Sequence, residues 1–187
     1  MHASTDLRVV KTKSNIQASF VQLLLEKDFQ DITVQNILDK ALINRKTFYS
    51  HYADKYQLAE QIANDFFAEL SGYLALRSQG TSTMDHYLQD AESIYAKLYE
   101  RKNTILALWS IHTEELNVYE HLQNLLQQEY LSVVKDQTAD HDTKLQAFFF
   151  STFVLSTLKY MLESGHTYTA HQIAQEFQMF YQTVNPF

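Results

Sequence analysis

Cysteine is absent from the 187 residues, and the chain holds one proline and three glycines. No disulfide, thiolate zinc site or cysteine nucleophile is therefore open to it. The proline is Pro186; the glycines are Gly72, Gly80 and Gly165. Average usage is about 7% Gly and about 5% Pro. A chain this poor in both has few tight turns and little to interrupt a helix. Sandwiches, barrels and βαβ folds lean on Gly-rich turns and are disfavoured. No two glycines lie close enough for a phosphate loop or a dinucleotide fingerprint, and there is no H-E-x-x-H string. The opening MHASTDLRVVKTKSN has no apolar stretch of the secretory kind. The longest near-apolar run, AFFFSTFVLSTL at 147–158, has 12 residues and stops at Lys159, short of a bilayer span. At 45% hydrophobic and 20% charged residues, the composition reads as soluble and globular, with the cytoplasm as expected location and no membrane partner.

The formal net charge of −7 argues at first against nucleic acid. It conceals an asymmetry. Residues 1–57 carry a net charge of +2 and residues 58–187 a net charge of −9. The division predicts a mildly basic N-terminal domain at 1–57 and an acidic body at 58–187.

Hydrophobic periodicity is helical almost throughout, and the expected class is all-α with about nine helices. Ile16, Phe20, Leu23 and Leu24 form one face ending near Lys27. Thr33 and Asn44 are placed as N-caps of two short helices. Asp54 with Gln57 resembles a capping box opening a long helix that frays between Gly72 and Gly80. Further helices are expected after a cap at Ser82 or Thr83, over about 103–113, over 116–135, and over 144–164. A polar loop is expected at 136–143. Thr169 with Gln172 is a second capping-box match and opens the last helix.

The informative segment is Ile16 to Leu58. Two short helices joined by a turn at about 41–44 form a helix-turn-helix rhythm. In that unit the second helix enters the major groove with its N-terminal residues at the base edges. Here it begins Asn44-Arg45-Lys46-Thr47. Arg and Lys pair with guanine O6 and N7, and Thr packs on the thymine methyl. Singly, each residue has a plain reading. Arg45 and Lys46 would be a solvated face, Thr33 a cap, and Phe48 and Tyr52 core at i, i+4.

The full string, ITVQNILDKALINRKTFYSHYADKYQL, resembles the DNA-binding domain of the TetR family of transcriptional regulators. Thr33, Val34, Ile37, Ala41, Thr47, Phe48, Tyr49, His51, Tyr52, Lys55 and Leu58 match the family pattern. The likeness is strong over about residues 10–60, and the INRKTFYSHYADKY wording is most similar to the DhaS-like subgroup. The chain departs at Leu42, where the turn usually has Gly, at Asn44, often Ser, and at Asp28, near another common glycine. The resemblance implies phosphate contacts from Thr33, Tyr49, His51 and Lys55, and base reading by Arg45, Lys46 and Thr47, with Asn44 in the same DNA-binding set. Arg8, Lys11 and Lys13 would be an arm towards DNA or a solubilising terminus.

For the body, the resemblance implies a homodimer on a palindromic or near-palindromic operator. The last two long helices would form its interface, through Phe148, Phe149, Phe153, Ile173, Phe177 and Phe180. The plain alternative is a central core helix at 144–164, buried from two directions. The resemblance also implies a repressor released by a small apolar effector, with Phe66, Tyr87, Tyr95, Trp109, His112 and Tyr119 as candidate lining; core packing explains the same residues. The alternative is a regulator or activator controlled by a protein partner, without a small-molecule pocket. No cofactor or metal is expected, and catalysis is disfavoured. His112 and Glu115 would share a face only if their helix ran that far, Glu114 would point elsewhere, and neither His121 nor the loop pair His141–Asp142 has a second cluster around it.

Overall fold

The computed structural model describes residues 2–75, 84–113, 116–134 and 142–184. Among them lie nine α-helices: α1 (His2–Glu26), α2 (Val34–Ala41), α3 (Arg45–Tyr49), α4 (Lys55–Ala75), α5 (Met84–Glu100), α6 (Lys102–Trp109), α7 (Val118–Val134), α8 (Thr143–Ser164) and α9 (Ala170–Val184). The all-α expectation holds. The sole strand-like pairing among the described residues is a bridge between His112 and Asn117. The chain divides into two compact units. One takes residues 1–70 and 103–122; the other takes 71–102 and 123–187.

The first unit is built on Ile16, Phe20, Ile32, Ile37, Phe48 and Leu58, all fully buried. Each such side chain contributes about 1.5–3 kcal/mol on leaving water. Phe20 meets Phe29 edge to face at 6.3 Å, which seats a single 3-10 turn, Phe29–Asp31, between α1 and α2. This turn fills the stretch between the face ending near Lys27 and the cap at Thr33. Thr33 caps α2, its Oγ1 accepting from the Asn36 N–H, while Asn36 Oδ1 accepts from the Thr33 N–H. The same Asn36 Oδ1 accepts from Lys27 Nζ at 2.8 Å, so the cap also ties α2 to the end of α1.

The turn after α2 closes on Leu42 at φ 54°, ψ 43°, the left-handed region. The N–H of Ile43 reaches the carbonyl of Leu38 at 3.1 Å, the closure that helix ends of this type use and that glycine fits without a Cβ clash. Leucine makes the same turn at a cost of about 1–2 kcal/mol. Its side chain is 90% exposed and recovers none of that by burial. α4 opens on Asp54, whose Oδ1 accepts from the Gln57 N–H, while Gln57 reaches back to the N–H of Ala53 rather than to that of Asp54.

In the second unit α8 buries Ala147, Ser151, Leu155, Leu158, Met161 and Leu162. Polar bonds fix it to α7, from Gln123 to Thr152, Gln127 to Ser151 and Tyr130 to Gln146. With 22 residues α8 is long and apolar enough to cross a membrane, which corrects the impression left by the 12-residue run. The expectation that α8 is buried from two directions is not met within one chain, because Phe148, Phe149 and Phe153 are exposed. Gly165, at φ 74°, ends α8, its N–H on Met161 O. The predicted Thr169–Gln172 capping box opens α9, with both reciprocal bonds formed.

Two helix boundaries differ from expectation. α1 begins at His2, so Arg8, Lys11 and Lys13 are helical rather than an extended arm. α6 ends at Trp109, four residues early. The shared-face argument for His112 with Glu115 therefore has no helix to rest on, and Glu115 lies outside the described residues. So do the expected cap at Ser82 or Thr83, most of the Gly72–Gly80 fraying segment and most of the 136–143 loop.

Candidate nucleic-acid interface

α2 and α3, joined by the Leu42 turn, form the helix-turn-helix pair. Asn44 caps α3 with its Oδ1, which accepts from the Thr47 N–H at 2.8 Å and from the Thr47 hydroxyl at 3.0 Å. Asn44 is thus spent on holding the helix, and Thr47 presents its methyl and an acceptor lone pair. Arg45 and Lys46 are exposed, and no carboxylate pairs with either among the described residues. Arg45 lies 6.0 Å from the Tyr49 ring, which is itself half exposed. Phe48, between them in sequence, is buried and packs edge-on against Tyr49 at 5.5 Å. The five-residue helix is therefore anchored by one aromatic and shows Arg45, Lys46 and Tyr49 to solvent. Thr33 and His51 are placed at the start of α2 and just past α3.

Lys55 is placed differently from the reading as a phosphate contact. Its Nζ donates to three carbonyls, Phe29 at 2.7 Å, Ile32 at 2.8 Å and Gln30 at 3.1 Å. It lies 4.6 Å from the Phe29 ring centroid and 5.5 Å from that of Tyr56. Burial lowers its pKa, opposed by the nearby Asp31 carboxylate. An ammonium has three donors, and all three are committed to closing the turn before α2. The string that resembles the family pattern does not record where the carbonyls of 29–32 point.

The effector candidates fall in different units. In the first, Phe66 and Trp109 are buried, Tyr119 packs edge-on against Trp109 at 6.0 Å, and His112 is exposed in the bridge with Asn117. The Trp109 Nε1 is buried with no hydrogen-bond partner among the described residues. In the second unit Tyr95 is half-buried, and burial raises its phenol pKa. The Tyr87 side chain lies outside the described residues.

The dimer candidates form a coherent surface. Phe153 packs edge-on against Phe177 at 4.8 Å, and Phe177 lies 6.4 Å from Phe180. Phe149 is 60% exposed and Phe180 59%, with Phe148 and Phe177 close behind. Ile173 is half-buried. Sequence reasoning missed Tyr160, Met179, Tyr181 and Val184, all exposed on the same two helices. Their signal was an apolar residue recurring on more faces of α8 and α9 than a single core consumes.

Helix order, a helix-turn-helix head and an α8–α9 pair with an outward aromatic face are the architecture of TetR-type regulators, and the chain has that fold. A TetR transcriptional regulator from Streptococcus agalactiae 2603V superposes with a TM-score of 0.66, at 23% identity, over 96% of this chain and 98% of that one. A gamma-butyrolactone receptor (ArpA-like protein) superposes with a TM-score of 0.62, at 19% identity, over 91% and 99%. In sequence, the chain is 30% identical over 178 residues to an uncharacterized HTH-type transcriptional regulator, YxbF, of Bacillus subtilis strain 168. That alignment takes in 94% of this chain and 46% of the Bacillus protein, so the chain spans about half the length of this relative. No protein-family model matches the chain.

Proposed function

We propose that the chain is a TetR-like transcriptional regulator that binds a palindromic or near-palindromic operator as a homodimer. The observation that carries this is α3, a capped helix anchored by Phe48 that shows Arg45, Lys46 and Tyr49, with no carboxylate among the described residues paired with the two cations. Arg45, Lys46 and Thr47 read bases; Thr33, Tyr49 and His51 meet phosphate. The exposed aromatic face of α8 and α9 supports the dimer. Monomeric proteins rarely leave contiguous apolar patches beyond a few hundred Å² in water, and one copy of the head covers only one half-site.

The protein acts as a repressor released by a small, largely apolar effector. Trp109 supports this: a buried indole N–H without a partner is a donor that a ligand's carbonyl would satisfy. The likeness in fold to a gamma-butyrolactone receptor points the same way. Selection of bound duplexes from random DNA tests the reading. A symmetric site is expected, and Arg45→Ala/Lys46→Ala should lose preference at specific positions, about 1–3 kcal/mol at each base contact removed. A double variant that selects the same site with unchanged affinity removes α3 as the reading helix.

A further inference from the structure

Leu42 combines two features that nothing within the chain explains. Among the described residues it is the one non-glycine residue with positive φ, at 54°, where a Cβ is crowded and glycine would be free of strain. It is also the most exposed large apolar side chain among them, at 90%. Its backbone is held in place. The N–H groups of Leu42 and Ile43 both reach the Leu38 carbonyl, and the Ala41 carbonyl accepts from Asn15 Nδ2 of α1 at 2.7 Å. The turn is therefore bonded on both sides, and Leu42 is displayed on a fixed backbone. A strained residue that its surroundings over-determine, with no return in packing, calls for a role outside the fold. Its neighbours indicate which one. Ile43 is half-buried, and Asn44, Arg45 and Lys46 after it are exposed. Asn44 caps α3, and no carboxylate among the described residues pairs with Arg45 or Lys46. A lone apolar side chain next to two such cations does not suit an apolar protein surface, which would have to desolvate both charges. It suits the DNA major groove, which is flanked by phosphates and carries one apolar group on its base edges, the thymine methyl.

We propose that Leu42 is a specificity-determining residue that packs on a thymine methyl beside the bases read by α3. The proposal rests on the DNA-binding reading given above and adds one thymine per half-site to the preference set by Arg45, Lys46 and Thr47. It also accounts for leucine at a turn position where glycine is the more stable residue. The side chain gives up stability in the free protein for a contact made only in the complex. Because the turn is pinned to α1 and to Leu38, that contact needs no rearrangement of the backbone.

The test uses the full chain and a duplex that the wild type selects from random DNA. Each thymine of the site is replaced in turn by uracil, which removes the methyl and keeps the hydrogen-bonding edge. Affinity is measured by fluorescence anisotropy for wild type, Leu42→Gly and Leu42→Met. Glycine relieves the crowding at this φ, so the first variant folds at least as well as wild type. At one thymine per half-site the wild type should lose about four-fold in affinity on exchange to uracil. Leu42→Gly should be indifferent to the same exchange, and Leu42→Met, which keeps an apolar side chain of similar reach, should retain most of the loss. Selection from random DNA with Leu42→Gly should drop thymine at that position and keep the rest of the site. A wild type indifferent to uracil at every thymine overturns the inference and leaves the DNA-binding reading standing. So does a loss that persists at full size in Leu42→Gly at every sensitive thymine. A wild type that selects no duplex overturns both.

Discussion

Replacing Lys55 by Met separates a structural lysine from a DNA-binding one. The substitution keeps the apolar stem and removes the ammonium. Lost with it are the bonds to the carbonyls of Phe29, Gln30 and Ile32, of which the first and third are partly buried. A hydrogen bond to a charged group contributes about 1.5–3 kcal/mol net, and cation–π contact with Phe29 adds about 0.5–1 kcal/mol. Freeing a lysine side chain returns up to about 2 kcal/mol of rotamer entropy. Counting only the two partly buried bonds, each near the low end of that range at about 1.5–2 kcal/mol, the balance is a loss of about 2–3 kcal/mol. Urea unfolding followed by fluorescence reads it well, because Trp109, the only tryptophan, is buried in the same unit as Lys55. With a urea dependence of about 2 kcal/mol per molar, the midpoint should fall by about 1–1.5 M. Where the variant is still folded, the salt slope of DNA binding should match wild type. The opposite pattern, an unchanged midpoint with a slope lower by about 0.9, would show that the ammonium leaves the three carbonyls for a phosphate and would refute the reasoning.

Leu42→Gly removes a Cβ from the left-handed turn and should stabilise the protein by about 1 kcal/mol, raising the melting temperature by about 2–4 °C in a scanning calorimeter. Thr33→Ala removes the cap of α2 and should cost about 1 kcal/mol, measured by urea unfolding; Thr33→Ser should restore most of it. Phe149→Glu with Phe180→Glu places charge on the exposed α8–α9 face and should yield monomers in sedimentation while the helix content by circular dichroism stays the same. A pair of charges that leaves a dimer intact would move the interface off this face. Binding of an apolar effector should shift Trp109 emission, and titration with a panel of small esters and acids would detect it.

The head was legible because its signals are local. Thr33, Asn44 and Asp54 each cap a helix through bonds spanning three residues, as Thr169 does for α9 in the second unit, and a cap is written in adjacent letters. Apolar spacing likewise located Ile16, Phe20 and Phe48, which lie fully buried. What sequence missed is non-local. Lys55 reaches back 23 to 26 residues to its carbonyls, and no periodicity encodes that distance. Arg8, Lys11 and Lys13 read as an arm towards DNA or a solubilising terminus because nothing in their neighbours announces that α1 runs on to His2.

The aromatic run at 147–158 shows where pattern stops deciding. Ala147, Ser151, Leu155 and Leu158 are buried within one chain, while Phe148, Phe149 and Phe153 are exposed. The small and branched residues face inward and the large rings outward, the reverse of what hydrophobicity alone would assign. Ser151 is fully buried because its hydroxyl donates to the Phe148 carbonyl at 3.0 Å and lies within 3.4 Å of Gln127 Nε2, so its polarity costs little there. An apolar ring in water has no such compensation. Exposure of Phe148, Phe149, Phe153, Phe177 and Phe180 together is unfavourable at about 25 cal/mol per Å² of apolar surface, and a second copy of the same face would relieve it. Because one head covers a single half-site, a dimer formed through this face would offer DNA two copies of α3. Dimerisation and DNA reading would then be linked: disrupting the α8–α9 face should weaken operator binding even though no residue on it touches DNA.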